Sequence, residues 1–318
     1  MFQFIFRRLL RWIPTAFLIL LFVYALLFYG AGDPIRLIFL RAPGDVAWDP
    51  ARIEAMRQEA GLDRPFFVQF GEYCWNLLHG DFGNSLVYKR SVNDMIRVAL
   101  PVSVQMGLAA TVITAIVGIP LGVMAAFYKN SWLDHSILGG ALCFWAIPTF
   151  VAGPLLMIVL VIWLDVMDVP YGWDGLFSWK VIVPLIVLSF RPSAIVIRQA
   201  RSSVLEILGE DFIRTAHAKG ISGYLVITRH ILRPTLTPVI TQLGLIMAFL
   251  IQGTVLLEVV FGIPGMGRLV ANSVVDSDYP VVLAVVLLGS FLVMAANLFV
   301  DIIYPILDPR ARQAQTEA

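Results

Sequence analysis

Charge is scarce in this 318-residue sequence. Asp, Glu, Lys and Arg make up 14% of it and hydrophobic residues 59%, where an ordinary soluble domain carries about a quarter charged residues. A water-soluble fold of this length would lack the polar side chains to cover its surface. Cysteine is nearly absent: Cys74 and Cys143 are too few and too far apart for a disulfide framework or a metal cluster. Cys143 stands in an apolar run and is expected to be buried in a membrane helix. The net charge of +1 comes with no basic stripe beyond what membrane topology explains, so no nucleic-acid partner is implied. No stretch reads Gly-x-x-x-x-Gly-Lys-Ser/Thr, so the chain lacks a phosphate-cradling loop and is not expected to hydrolyse ATP. His79, His135, His217 and His230 have no metal-ligand spacing, and no Gly-x-Ser-x-Gly elbow offers a nucleophile.

What is present is a series of apolar runs of about 20 residues, the length that crosses about 30 Å of hydrocarbon. Six spans are expected, near 9–29, 102–127, 137–164, 181–200, 238–260 and 281–305, giving an all-α polytopic membrane protein. The first follows Arg7, Arg8 and Arg11 but is too long for a signal peptide and lacks a small-x-small cleavage site. Six spans put both termini on one side. With that side inside, the inner segments hold 13 of the 23 Lys and Arg but only 7 of the 22 Asp and Glu, so the positive-inside rule places both termini in the cytoplasm.

Two connections are long. Residues 30 to about 97 form an outer insertion, making 1–97 a first span plus insertion and 98–318 a five-helix core. Within the insertion two short amphipathic helices are expected. Asp49 caps the first and Gly61 ends it, while Phe66, Phe67, Phe70, Tyr73, Trp75 and Leu78 give the second an apolar face for the membrane surface or the helix bundle. The other connection, about 201–237, is on the inner side and contains EDFIRTAHAKG at 210–220. Glu210 or Asp211 suits a helix start, Lys219 its negative end, and Gly220 a left-handed terminator. Phe212, Ile213 and Ala216 fall on one side; Arg214, His217 and Ala218 fall elsewhere. A helix of about two and a half turns is unstable alone in water, so something must hold its apolar side. Spacing alone leaves the lipid surface and a partner protein both open.

RTAHAKG at 214–220, followed by RHILRP at 229–234, resembles the cytoplasmic loop of ABC importer permeases. Arg214, Thr215 and Ala216 stand at that family's Glu-Ala-Ala positions, with Gly220 at its Gly and Ile231 and Pro234 in a tail one residue longer. The Arg-Thr-Ala form is similar to the dipeptide, oligopeptide and nickel branch. The resemblance runs along the chain through GDP at 32–34, GLDRPFFVQF at 61–70, GDFGNS at 80–85, DH at 134–135, VVFGIPGMGR at 259–268, DYPVV at 278–282, NLFVD at 297–301 and LDPR at 307–310. A short outer loop between the third and fourth spans departs from some relatives. The resemblance implies that Glu210, Asp211, Phe212, Ile213, Arg214, Thr215, Ala216, His217, Ala218, Lys219 and Gly220 form a coupling helix that docks on an ATPase subunit. It implies a second permease as heterodimer partner, two cytoplasmic ATPases holding ATP and Mg, an extracytoplasmic solute-binding protein, and a prokaryotic plasma membrane. This chain itself would hold no cofactor. The cargo implied is a di- or oligopeptide, with nickel chelates, glutathione or oligosaccharides as alternatives. An ion-coupled secondary transporter would need intramembrane acidic sites and an internal repeat, neither visible in the sequence.

Gly107, Gly118, Pro120 and Gly122 in the second span, Pro148, Gly153 and Pro154 in the third, and Gly244 and Gly253 in the fifth permit close packing and kinks. In VVFGIPGMGR, Phe261, Pro264 and Met266 are candidates for an outer gate or a contact for the binding protein, against an ordinary re-entrant turn. Arg191 stands ten residues into the fourth span, about 15 Å deep. It either lines the conduit and meets an anionic part of the cargo or snorkels inward beside Arg198. Asp301, near the inner end of the last span, is expected to pair with an inner cation.

Overall fold

The structure is a computed structural model, and residues 2–41, 50–251 and 254–307 are described. Among them the regular structure is helical, with a single isolated bridge between Asn84 and Ser91. The chain forms two compact units. Met1–Ser103 with Pro264–Met294 make the first; Val104–Ile263 with Ala295–Ala318 make the second.

The first unit begins with α1 (Phe2–Gly30), α2 (Pro34–Arg41), α3 (Pro50–Glu59) and α4 (Phe66–Leu78). Helix α3 ends two residues before Gly61, as expected; Asp49 lies outside the described residues. On α4 the residues at helical spacing, Phe66, Phe70, Tyr73, Cys74 and Leu77, pack against Ala16, Leu20 and Tyr24 of α1. Tyr24 meets Phe66 and Phe70 edge to face, with ring centroids 5.7 and 5.4 Å apart. So the insertion packs on the helix bundle. Phe67, Trp75 and Leu78 do not share that face: they point away from α1 and are exposed.

Helix α5 (Val92–Phe127) starts ten residues before the expected span. Asn93, Asp94 and Arg97 break the apolar run, but Val92, Met95, Ile96 and Ala99 recur at helical spacing and bury one face of the extra turns. They pack against Met266, Val281, Ala284 and Val285, which belong to α13 (Met266–Val275) and α14 (Tyr279–Leu307). Just before α14, Asp278 is buried and accepts from the Ser85 hydroxyl and, at 3.0 Å, from the Leu86 amide. That contact ties the GDFGNS turn to the last span. Burial raises the Asp278 carboxyl above the usual carboxylate range, and those donors partly offset the rise.

The second unit holds the remainder of α5, then α6 (Trp132–Ala146) and α7 (Thr149–Met157), which continues as a π-wound stretch Ile158–Trp163. The expected third span is therefore not one helix. Its halves meet at 99°, and the break falls at Ile147, the residue before Pro148, whose backbone is extended, with ψ 119°, as steric conflict with the proline ring favours. Helix α8 (Ile182–Leu208) outruns the expected span by eight residues. It is followed by α9 (Asp211–Ala218), α10 (Gly223–Leu225), a second π-wound stretch Val226–Ile231, α11 (Leu232–Ile251) and α12 (Val255–Val260). The polar connection is thus far shorter than 201–237, because both flanks are helical. The expected fifth span, 238–260, is interrupted before α12, and Gly253 lies outside the described residues. Among the described residues five helices are long and apolar enough to cross a membrane, six if the bent pair counts as one span.

Small residues set the packing of α5. A Cβ on Gly107 would stand 2.9 Å from the Ile251 amide nitrogen, one on Gly118 2.7 Å from Val196 Cγ1, and one on Gly122 2.5 Å from the Ile197 carbonyl oxygen. Gly118 and Gly122, four residues apart, let α5 lie backbone to backbone on α8. Helix α6 meets α8 through Asp134, Ile137, Leu138 and Ala141, again at helical spacing. Cys143 is off that face and exposed, so its expected burial is not found.

Candidate functional site

Asp211 lies in the first turn of the eight-residue α9. The helix stops because the Gly220 amide donates to the His217 carbonyl at 2.9 Å while Gly220 adopts φ +73°, a region that disfavours any Cβ. Ile213 (3% exposed) and Ala216 (5%) are buried; Phe212 is 45% exposed, and Asp211, Arg214, Thr215, His217, Ala218 and Lys219 are exposed with it. Phe212 therefore does not share the buried side.

What holds that side is the chain itself. Ile213 and Ala216 pack with Ala126 at the end of α5, Val204 near the end of α8, and Val226 and Ile231. The π-wound turn contributes directly: its wider winding stacks residues five apart, so Val226 and Ile231 both face α9. Burying Ile213 contributes about 2 kcal/mol. The surface pair between Arg214 and Asp211, at 3.4 Å, contributes little because both side chains are solvated.

One buried ion pair reinforces the same end of the second unit. Arg201 of α8 donates through Nε to Asp134 Oδ1 and through a terminal nitrogen to Oδ2, both at 2.7 Å. The Asp134 side chain is 3% exposed and also accepts from the Asn130 amide at 2.9 Å, while its own amide donates to the Ser131 cap. The bidentate geometry locks the start of α6 to α8. Asp134→Ala is expected to cost about 4 kcal/mol, because Arg201 would be left charged and unpaired; the double replacement Asp134→Leu with Arg201→Met should cost much less. Thermal unfolding of the two purified variants checks the difference.

Nearer the middle of α8, Arg191 and Arg198 are both exposed, and each guanidinium lies 5.4 Å from the centroid of the Trp145 ring. Beside them Phe144 and Phe190 stack at 4.5 Å. Among the described residues neither arginine is paired with a carboxylate.

In the 259–268 stretch the candidates part company. Phe261 is buried in the second unit, its ring against Gly153, where a Cβ would stand 2.9 Å from Cε2. Its carbonyl accepts from the Gly172 amide at 2.8 Å, and the Tyr171 ring covers Gly262, whose φ of +66° and missing side chain allow the approach. The boundary between the units falls after Ile263. Pro264 is exposed; Met266 is buried in the first unit, where its amide donates to Ser103 Oγ at 2.8 Å. Asp301's side chain lies outside the described residues.

Residues 118–313 match the family described as "Binding-protein-dependent transport system inner membrane component", and residues 1–107 match its N-terminal component. The chain belongs to this permease family. It is 36% identical over 313 residues to the oligopeptide transport system permease protein OppB of Haemophilus influenzae, covering 98% of this chain and 100% of that one. It is also 36% identical over 340 residues to the dipeptide transport system permease protein DppB of Escherichia coli K12, covering 98% and 99%. In fold it is similar to a chain of the inward-facing MetNI methionine ABC transporter, with TM-score 0.54 and 14% identity, covering 67% of this chain and 96% of that chain. The permease is thus a multi-pass inner-membrane component of a transport system that includes other subunits.

Sequence reasoning missed three features of the permease: the seat of α9, the Asp134 to Arg201 pair, and Trp145. The residues of each pair lie far apart in sequence. Only Ser131 followed by Asp134 carried a local signal, that of a helix start.

Proposed function

We propose that this permease is one of two similar membrane subunits of an ATP-driven importer, and that its cargo is a di- or oligopeptide. The observation that carries this reading is the two-sided character of α9. Ile213 and Ala216 are seated on the ends of α5 and α8, while Phe212, Arg214, Thr215, His217 and Lys219 face outward. A helix gripped by its own membrane bundle on one side and bare on the other suits the transmission of force from a docked subunit. The peptide cargo is supported by the relatives' names.

In this reading both termini and α9 are cytoplasmic, as the excess of Lys and Arg on that side requires. Two ATPase subunits hold ATP and Mg and dock on α9, and a solute-binding protein delivers cargo from outside. Closure of the ATPases displaces α9. Its seat carries the displacement into α5 and α8, and the Asp134 to Arg201 pair carries it on to α6 and the bent α6/α7 pair.

Reconstitution in vesicles tests this. Peptide uptake is expected only with the second permease, the ATPase pair and ATP all present. Phe212→Asp, on the outward face, should leave thermal stability within about 1 kcal/mol of the parent yet lower uptake at least about tenfold, by removing an apolar docking contact. Uptake without any ATPase subunit would overturn the proposal.

A further inference from the structure

We infer that Arg191 and Arg198, together with the Trp145 ring, form a subsite that binds the carboxylate of a peptide cargo inside the translocation path. The inference rests on the peptide-import reading above.

Three observations converge. Arg191 lies twelve residues into the apolar helical segment Trp179–Leu208, about 18 Å along its axis. A cation at that depth facing hydrocarbon costs several kcal/mol, so it faces water or an anion. Arg198 is seven residues further along the same helix, two turns on, and reaches the same ring. Both guanidinium centres lie 5.4 Å from one centroid, so they stand no more than about 11 Å apart, close enough that a carboxylate forked onto one is also drawn by the charge of the other. Stacking on an aromatic face fixes a guanidinium plane while its edge donors stay free to fork onto carboxylate oxygens. Two like charges held against one ring, with no acidic partner among the described residues, leave a demand for negative charge that the chain itself does not meet.

The third observation concerns water. Trp145 stands two residues before the break at Ile147 and Pro148, where α6 and α7 meet at 99°. Non-helical backbone at membrane depth persists only where it is buried in protein or lines a water-filled cavity. Here Trp145, Ile147, Phe150 and Val151 are all exposed. The break and the two cations therefore lie side by side on a surface that this chain leaves open, an arrangement that suits a water-filled path. A peptide at neutral pH offers the matching group, since its C-terminal carboxylate is ionised.

The test uses the assembled complex in lipid nanodiscs without its binding protein, titrated with trialanine and with trialanine amide while tryptophan fluorescence is read. Trialanine is expected to change the emission, the change to vanish in Trp145→Phe, and the amide to need at least about tenfold more ligand. Arg191→Gln and Arg198→Gln should each weaken trialanine binding about tenfold and leave the amide unaffected, with Arg191→Lys intermediate because charge without a planar fork is kept. Equal titration by acid and amide, or unchanged acid titration in both glutamine variants, would overturn the subsite. Should a glutamine variant fail to assemble, the acid and amide comparison on the unaltered complex still decides. ATP-driven uptake of trialanine by the same complex, with binding protein added, is measured in parallel. Its absence would count against peptide import as such, whereas a subsite failure with uptake intact counts against this inference alone.

Discussion

Ile213→Asp is expected to abolish transport and to cost the second unit about 2 kcal/mol or more of apolar packing. The side chain is 3% exposed and packs with Ala126, Val204, Val226 and Ile231. Replacing it removes about 2 kcal/mol of apolar burial and places a carboxylate among hydrocarbon groups, with a further penalty of several kcal/mol unless it escapes to water. Escape is the cheaper outcome for so short a helix. With eight residues α9 has almost no intrinsic stability, so it would peel from its seat rather than bury the charge. Limited trypsin digestion reports this directly, through faster cleavage after Arg214 and Lys219. Ile213→Val, which keeps the shape and loses one methylene, should cost about 1 kcal/mol and leave uptake close to that of the parent. Ile213→Asp and Phe212→Asp thus separate the two faces of one helix. The first unseats α9 and accelerates proteolysis; the second leaves α9 seated and unproteolysed. If Ile213→Asp left tryptic resistance unchanged, the seat described here would not be what holds α9.

The boundaries of α9 were legible because they are written locally: acidic residues at the start, Lys219 and Gly220 at the end. Its seat was not, because Val204 and Ala126 belong to helices whose apolar residues look alike in sequence and acquire a partner only when the helices cross. The same division runs through the fold. Apolar length gave the spans, but the first turns of α5 escaped notice because Asn93, Asp94 and Arg97 interrupt the run, although Val92, Met95, Ile96 and Ala99 keep the helical period. Pro148 marked a kink. The 99° bend that it permits depends on what α6 and α7 pack against, which no single residue specifies. Asp134 and Arg201 sit 67 residues apart and looked like ordinary members of the inner charge set. Their pairing follows from α6 lying along α8, a tertiary fact. Arg191 was legible as an oddity from its depth alone, whereas Trp145, one aromatic among many, became informative only once two cations were found against it.

Gly122→Val carries the other large effect, with loss of the folded transport-competent chain as the expected result. A Cβ at Gly122 would stand 2.5 Å from the Ile197 carbonyl oxygen, 2.7 Å from Ala200 Cβ and 3.2 Å from the Arg201 amide nitrogen. The nearest of these is backbone, and no flexible side-chain end is there to swing aside, so α5 and α8 must separate. Even alanine should cost about 1–3 kcal/mol at this position, as overpacking of a filled interior does, and the branched side chain of valine should cost more. The displacement would be felt at Arg201, whose guanidinium holds Asp134, and at Val204, part of the seat of α9. One added side chain therefore strikes the close helix crossing, the buried ion pair and the coupling seat together. Gly139 supplies the control. It lies inside α6 with nothing within 4 Å of an added Cβ, so Gly139→Ala is expected to raise stability by about 0.5–1 kcal/mol through helix propensity alone. Thermal unfolding in detergent, with uptake after reconstitution, checks both. Opposite signs for alanine at 122 and 139 are required, and equal effects would mean that α5 and α8 do not meet as closely as described.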